Sequence, residues 1–161
     1  MDFFKSLQRS RSTFSNKEEH QWIYTDPIIS EGFQILSQYF SQSKQATEFF
    51  NKVLFLKVDG SFACAIDSKK KFVLLYPELI SILKGSERMN AVAIIAHEMG
   101  HLVLDHQNRD ITNLQAQIEA DIFAAELGLG KFLLRFLKQR TMGHQIQQRI
   151  MALEKFSRRE I

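Results

Sequence analysis

The chain has 161 residues, 45% of them hydrophobic, which is enough for one domain with a buried core and too few for two. Fourteen Phe against two Pro and seven Gly exclude a disordered or fibrous chain. The formal charge of +3 comes from scattered Lys and Arg rather than from a basic stripe interleaved with aromatics, so we expect no nucleic-acid partner.

Cysteine content and hydropathy predict the compartment. The single cysteine, Cys64, cannot form an internal disulfide, so the reducing cytoplasm is the expected location. Cys64 lies in an alternating apolar run, which is typical of a small core residue rather than a nucleophile. No segment has the length or apolar character of a membrane span or a signal peptide. We therefore expect a cytoplasmic protein without a transmembrane segment.

The N-terminal residues 1–20 mix charged and polar side chains with three Phe, a composition that predicts a flexible or weakly docked arm. A single domain is predicted over residues 21–161. Phe3, Phe4 and Leu7 are expected to pack against this domain. The alternative is a short amphipathic stripe that makes peripheral contact with a membrane surface.

The first elements after the arm are a helix and a small sheet. Asp26-Pro27 has the pattern of an N-cap followed by a first-turn proline, which predicts a helix. Strand-like runs follow at Val53–Val58, Ser61–Ile66 and Phe72–Tyr76. Asp59-Gly60 is a favoured turn dipeptide, so the first two runs are predicted to pair as a hairpin.

Helices are predicted for the rest of the chain. Their expected bounds are Glu78–Leu83, Glu87–Asp105, Leu114–Leu127, Lys131–Lys138 and His144–Phe156. This order predicts an α+β fold in which a small antiparallel or mixed sheet packs on a helical bundle.

His97, Glu98 and His101 form an H-E-x-x-H segment within the long helix. The four-residue spacing puts both imidazoles on one helix face, where they can share a metal ion. Zinc accepts two neutral imidazole nitrogens and keeps a position for water. Glu98 is placed to take a proton from that water and to hand it to a leaving amine. The motif therefore predicts a Zn²⁺-dependent hydrolase.

The alternative for this motif is a pair of surface histidines beside an ion-pairing glutamate. Residues Ala91–Ala96, which precede it, are nearly all apolar, so this helix is predicted to be buried. A buried glutamate between two histidines needs a chemical reason, which favours the metal site.

A further ligand is expected from the helix Leu114–Leu127. At about 100° per residue, Gln117 and Asp121 fall on one side with small alanines, whereas Glu119 falls nearly opposite. Helical geometry therefore directs Gln117 and Asp121 toward the metal and Glu119 toward solvent. His106 is interpreted as a partly exposed helix-end histidine near backbone carbonyls.

Together these segments resemble the HtpX-like and CAAX-prenyl-protease type of zinc metallopeptidases, which are H-E-x-x-H gluzincins. The similar segments are Phe62-Ala63, Phe72–Tyr76, Ala91–His101 with His106, Glu119-Ala120-Asp121-x-Phe123-Ala124, and Gly143-His144 to Arg149-Ile150. The resemblance implies a zincin-like fold, His97 and His101 as zinc ligands, and Asp121 as the carboxylate that orients a ligand histidine. It also implies that an extended peptide or protein substrate adds to the strand Ser61–Ile66.

Two positions depart from the family's pattern. The family has a Glu ligand four residues before the Asp, where this chain has Gln117, and a neutral carbonyl oxygen is a poorer zinc ligand than a carboxylate. The third ligand therefore stays open between Gln117, Asp121 and Glu119. The resemblance also makes His144 a candidate for polarising the substrate carbonyl or stabilising the oxyanion, although it lies five residues before Arg149 where the family has six. The alternative for His144 is an ordinary residue at the N-terminus of a helix.

Two functions follow from these residues. The first is a zinc-dependent metalloendopeptidase that hydrolyses peptide bonds with Glu98 as general base. The alternative is a degenerate, non-cleaving binding or regulatory module, marked by Gln117. A purely structural zinc site is disfavoured because no Cys/His set is present to close four positions. The sequence leaves the oligomeric state open.

Overall fold

The computed structural model describes residues 17–59, 63–66, 70–140 and 143–158. Within these ranges the strands are β1 (Leu54–Lys57), β2 (Ala63–Ile66) and β3 (Phe72–Leu75). The helices are α1 (Gln21–Thr25), α2 (Pro27–Phe40), α3 (Lys44–Lys52), α4 (Pro77–Lys84), α5 (Arg88–Val103), α6 (Asn113–Glu126), α7 (Gly130–Lys138) and α8 (His144–Ser157). A small sheet with a helical majority confirms the predicted α+β class.

The first long helix, α2, begins as its sequence predicts. Asp26 is the N-cap, and its carboxylate accepts hydrogen bonds from the backbone N–H groups of Ile28 (3.0 Å) and Ile29 (3.3 Å). Pro27 occupies the first helical position, where the missing N–H is not needed.

The sheet has the order β1-β3-β2, so the predicted hairpin between the first two strands is wrong. β1 runs parallel to β3, with Leu54 opposite Phe72, and β2 runs antiparallel to β3, with Ala63 opposite Leu75. All four residues of β3 are apolar, and Val73 and Leu75 are fully buried. In the central position β3 is covered by a strand on each side. The burial gained in this way outweighs the local preference of Asp59-Gly60 for a hairpin turn.

The outer edge of β1 is covered by side chains from α1 and from the segment before it. The ring Nε2 of His20 accepts a hydrogen bond from the backbone N–H of Phe55 (3.1 Å), and the Trp22 indole donates to the Phe55 carbonyl (3.2 Å). The Lys17 ammonium donates to the Val53 carbonyl (3.1 Å). Among the described strands, β2 is therefore the edge that remains for pairing.

The predicted arm meets the domain earlier than residue 21. His20 is fully buried, and Glu18–His20 forms a short 3₁₀ turn against β1. Residues 17–20 therefore belong to the packed body. The rest of the predicted arm, residues 1–16, lies outside the described residues, as do Phe3, Phe4 and Leu7.

Helix α5 crosses the centre of the molecule, as its apolar run predicts. Residues 90–97 are all buried. Where α5 meets α6, a Cβ on Gly100 would lie 3.0 Å from Cδ1 of Phe123 and 3.2 Å from Cα of Ala120. The bare glycine therefore lets the two helices approach closely, which brings side chains of α6 against the histidines of α5.

Candidate metal centre

The side chains of His97 and His101 converge on one face of α5. Their Nε2 atoms lie 3.2 Å apart, and the ring centroids are separated by 4.9 Å. His97 is buried and His101 is partly buried. The pKa of His101 is lowered to about 3, mainly by burial and further by the neighbouring His97 and His106. This imidazole is therefore neutral at pH 7.

The other nitrogen of His97 faces a carboxylate. Its Nδ1 lies 2.8 Å from Oδ1 of Asp121, although the ring N–H is not aligned with that oxygen. A lone pair would be repelled at this distance, so Nδ1 carries the hydrogen and Nε2 presents its lone pair. This geometry leaves Nε2 of His97 free to bind a cation.

Asp121 is fully buried and is held by Arg149. The guanidinium donates two hydrogen bonds to the carboxylate, from Nε to Oδ2 and from Nη2 to Oδ1, each 2.7 Å. Burial opposes ionisation of Asp121, but the hydrogen bonds from Arg149 and the adjacent Nδ1 of His97 lower its pKa below the ordinary value. The carboxylate lies on the Nδ1 side of His97, away from the pair of Nε2 atoms.

His101 contacts a third histidine through its other nitrogen. Nδ1 of His101 lies 2.8 Å from Nδ1 of His106, and Nε2 of His106 lies 3.3 Å from Oε2 of Glu119. His106 is buried, so the interpretation as a partly exposed helix-end histidine is wrong. The expectation that Glu119 faces solvent also fails, because its carboxylate binds His106 and Arg109.

Gln117 lies closest to the Nε2 pair among the three candidates for a third ligand. Its Nε2 is 3.3 Å from Nε2 of His101. Asp121 and Glu119, by contrast, lie beside Nδ1 of His97 and Nε2 of His106. Among the described residues no three His, Cys, Asp or Glu side chains form a metal-binding group.

The spacing of these groups fits a zinc ion. Two Zn–N bonds of about 2.0–2.1 Å at a tetrahedral angle put their nitrogens roughly 3.3–3.4 Å apart. The observed separation of 3.2 Å between the Nε2 atoms of His97 and His101 is close to that value. Nδ1 of His97 contacts Asp121 and Nδ1 of His101 contacts His106, so the two Nε2 atoms are the nitrogens that remain to bind a shared ion.

Glu98 lies beside this pair and close to β2. The backbone N–H of Ala65 donates a hydrogen bond to its carboxylate, and burial raises its pKa above the ordinary value despite the nearby charges of His97 and Arg149. Because this N–H is directed at Glu98 rather than at β3, the open edge of β2 faces the candidate site.

Two cavities meet at Ala63, Glu98 and Gln117, on either side of the histidine pair. The first, of about 190 Å³, is mainly apolar and is lined by Ala63, Ile94, His97, Glu98, Gln117, Leu133, Phe136, Leu137, Arg140, Ile146 and Arg149. The second, of about 480 Å³, is more polar and is lined by Ala63, Ala65, Glu98, His101, His106, Gln107, Ile111, Asn113, Ala116 and Gln117. They form a cleft that follows β2.

His144 is not brought to this cleft. It is the exposed first residue of α8, and it lines neither cavity. Arg149, five residues later on the same helix, does reach the cleft and Asp121. A sequence signal for Arg149 exists, since a buried Asp needs a cationic or hydrogen-bonding partner.

Within the described ranges, no helix is long and apolar enough to cross a bilayer.

Comparison with known proteins places the chain in a family. The family described as Peptidase family M48 matches residues 32–160, which include every site residue discussed above. A curated relative, the plastoglobule-localized metallopeptidase 48, chloroplastic, from Arabidopsis thaliana, is 39% identical over 49 residues, 30% of this chain and only 13% of that protein. No solved structure gave a significant match. The resemblance to metallopeptidases is thus confirmed, and the chain belongs to peptidase family M48.

Proposed function

We propose that this protein is a zinc-dependent metalloendopeptidase that hydrolyses peptide bonds within an extended polypeptide. One observation carries the proposal: two histidines present their Nε2 atoms to a common point, 3.2 Å apart, beside the partly buried carboxylate of Glu98. Membership of a metallopeptidase family supports it. In this proposal His97, His101 and Gln117 hold the ion, with the Gln117 amide turned so that its oxygen rather than its nitrogen faces Nε2 of His101.

Glu98 moves the proton in the proposed reaction. The bound ion would act as a Lewis acid and would lower the pKa of an attacking water. Glu98 takes a proton from that water and returns it to the leaving amine nitrogen. Burial raises the pKa of Glu98, and this brings the carboxylate closer to the pKa at which it both accepts and releases a proton near neutral pH.

Asp121 and Arg149 act on the ligand His97 rather than on the ion. The carboxylate of Asp121 is bound by two hydrogen bonds from Arg149, so it is fixed at the Nδ1 side of the ring. A carboxylate held in this way sets both the orientation and the tautomer of a ligand histidine. We therefore assign Asp121 as a positioning residue and Gln117 as the third ligand.

The substrate is proposed to bind along β2. Ala63 and Ala65 line the cleft, and the open edge of their strand faces Glu98. A peptide in extended conformation can pair with such an edge through its backbone, whatever its sequence. The apolar cavity lined by Leu133, Phe136 and Leu137 then suits an apolar side chain next to the cleaved bond.

The second candidate function is a degenerate module that binds polypeptides without cleaving them. Gln117 favours it, because this amide stands at the position of the family's carboxylate ligand. Such a protein would keep the cleft, but it would turn over no substrate.

Replacing Glu98 by Gln distinguishes the two functions. For the peptidase, cleavage of a peptide library by Glu98→Gln should fall by about 10²–10⁴-fold because the base is lost. Zinc content should stay the same, since the ligands are untouched. Glu126→Gln, at an exposed position of α6, serves as the matched control and should cleave like the parent.

Two results would count against a peptidase. Parent protein that carries stoichiometric zinc but cuts no peptide would favour the degenerate module. Cleavage that persists undiminished in Glu98→Gln would remove Glu98 from the mechanism.

A further inference from the structure

We propose that His106, held by Glu119, is a positioning residue that fixes the orientation and tautomer of His101 for metal binding. The inference rests on the proposed metal site and extends it to residues that the H-E-x-x-H motif does not contain. It gives the second ligand histidine a support that parallels the Asp121 support of the first.

With His106 neutral, the contacts allow one consistent placement of the ring hydrogens. Nε2 of His106 faces the Glu119 carboxylate at 3.3 Å, so this nitrogen carries a hydrogen and donates it. In the neutral ring, Nδ1 of His106 is then an acceptor, and at 2.8 Å it takes the hydrogen of Nδ1 of His101. Nε2 of His101 is left with its lone pair, directed toward Nε2 of His97.

The opposite placement conflicts with the Glu119 contact and with metal binding. If His106 donated to His101 through Nδ1, its own Nε2 would turn a lone pair toward the Glu119 carboxylate. The hydrogen on Nε2 of His101 would then point at the place where the ion is proposed to bind. Glu119 therefore selects, through His106, the tautomer of His101 that can bind a metal.

The loop between α5 and α6 places His106 where it can do this. Asp105 has a left-handed backbone, with φ of 54°, and this turns the chain back so that the short turn His106–Asn108 lies against α5. The Asn108 amide donates to the Asp105 carboxylate at 2.7 Å and closes the turn. Asp tolerates this backbone conformation better than most residues.

Glu119 is itself held from two sides. Arg109, from the same loop, contacts both carboxylate oxygens, and the Gln115 amide donates to Oε1 at 2.9 Å. A carboxylate with three partners has little freedom to leave His106. The loop and α6 thus hold His106 as a rigid unit against His101.

The test compares Zn²⁺ affinity, measured by competition with a chromophoric chelator, in the parent and four variants. His106→Leu removes the acceptor, whereas His106→Asn keeps an acceptor oxygen near the place of Nδ1. Glu119→Ala removes the carboxylate that orients His106, and Glu126→Ala removes an exposed carboxylate of the same helix as a control. Unfolding of the metal-free forms in excess chelator reports on the fold separately, and the visible spectrum of the Co²⁺ forms reports on ligand geometry.

We expect His106→Leu to bind Zn²⁺ about 10–100-fold more weakly than the parent, which is the usual effect of losing a partner of a ligand histidine. Glu119→Ala should lose about tenfold. His106→Asn should stay within about threefold of the parent with a similar Co²⁺ spectrum, and Glu126→Ala should be unchanged.

Three outcomes would overturn the inference. The first is a His106→Leu variant that binds Zn²⁺ within about twofold of the parent, and the second is a His106→Asn variant as weak as His106→Leu. The third is equal affinity in Glu119→Ala and Glu126→Ala, which decides the question even if His106→Leu does not fold. A parent that binds no Zn²⁺ would instead refute the metal site, and this inference with it.

Discussion

At the scale of single residues, Gln117 sets the charge of the candidate site. In the proposed site, two imidazoles and an amide as third ligand leave the ligand set without a negative charge. A dication bound there keeps its full charge, whereas a carboxylate would offset part of it. We therefore expect weaker metal binding and a more acidic bound water than a glutamate would give.

The variant Gln117→Glu tests this reasoning. It should bind Zn²⁺ at least about tenfold more tightly than the parent, because a charged oxygen replaces a neutral one. Chelator competition at constant pH and ionic strength measures the change. Gln34→Glu, which adds the same charge at an exposed position of α2, should leave the affinity unchanged. Equal affinities for parent and Gln117→Glu would mean that residue 117 does not touch the ion.

At the scale of elements, the buried pair of Asp121 and Arg149 ties α6 to α8. Asp121 is fully buried, and both of its oxygens accept hydrogen bonds from the guanidinium. A second ion pair joins α7 to α8, between Lys138 and Glu154 at 2.8 Å, but it is largely exposed. The two pairs thus differ chiefly in burial, and burial decides how much their loss costs.

Arg149→Met should destabilise the metal-free protein by about 3–5 kcal/mol, because it strands a buried carboxylate. Lys138→Met, the matched control on the exposed pair, should cost about 0–1 kcal/mol. Urea unfolding in the presence of a chelator measures both. Equal losses of unfolding free energy in the two variants would show that Asp121 is not a buried, ionised carboxylate.

The pH dependence of the Arg149→Met effect follows from the pKa of Asp121, which its partners lower. A lowered pKa in the folded state stabilises the protein above the ordinary Asp value, and this stabilisation is lost as the pH falls through the folded value. The difference between parent and Arg149→Met should therefore be largest where Asp121 is ionised in both proteins, and it should shrink as the pH falls through the Asp121 pKa of the variant toward that of the parent. A difference that grew with acidity would contradict this.

The elements were largely predictable from the sequence, and their pairing was not. Apolar periodicity and the Asp26-Pro27 cap marked the helices because both are local signals. Pairing of β1 with β3 is set by which strand is best buried in the middle, which a local turn dipeptide does not report. The contact of His106 with His101 likewise depends on the left-handed turn at Asp105, beyond the reach of helical spacing.

At the scale of the whole molecule, the fold brings an open strand edge, the carboxylate of Glu98 and two histidines to one cleft. Side chains of residues 17–22 cover the outer edge of β1, and this leaves β2 as the described edge beside Glu98. The close approach of α5 and α6 at Gly100 brings Gln117, Glu119 and Asp121 to the histidines. The sequence predicted the histidine pair and Glu98, whereas the placing of Glu119 required the three-dimensional contacts.

The central claim is that His97 and His101 share one divalent ion, and metal analysis of the purified protein tests it most directly. After dialysis against zinc and then against metal-free buffer at neutral pH, the parent should hold about one zinc per chain. The double variant His97→Ala/His101→Ala should hold almost none. A parent that emerges free of zinc, or a double variant that retains as much as the parent, would contradict the account.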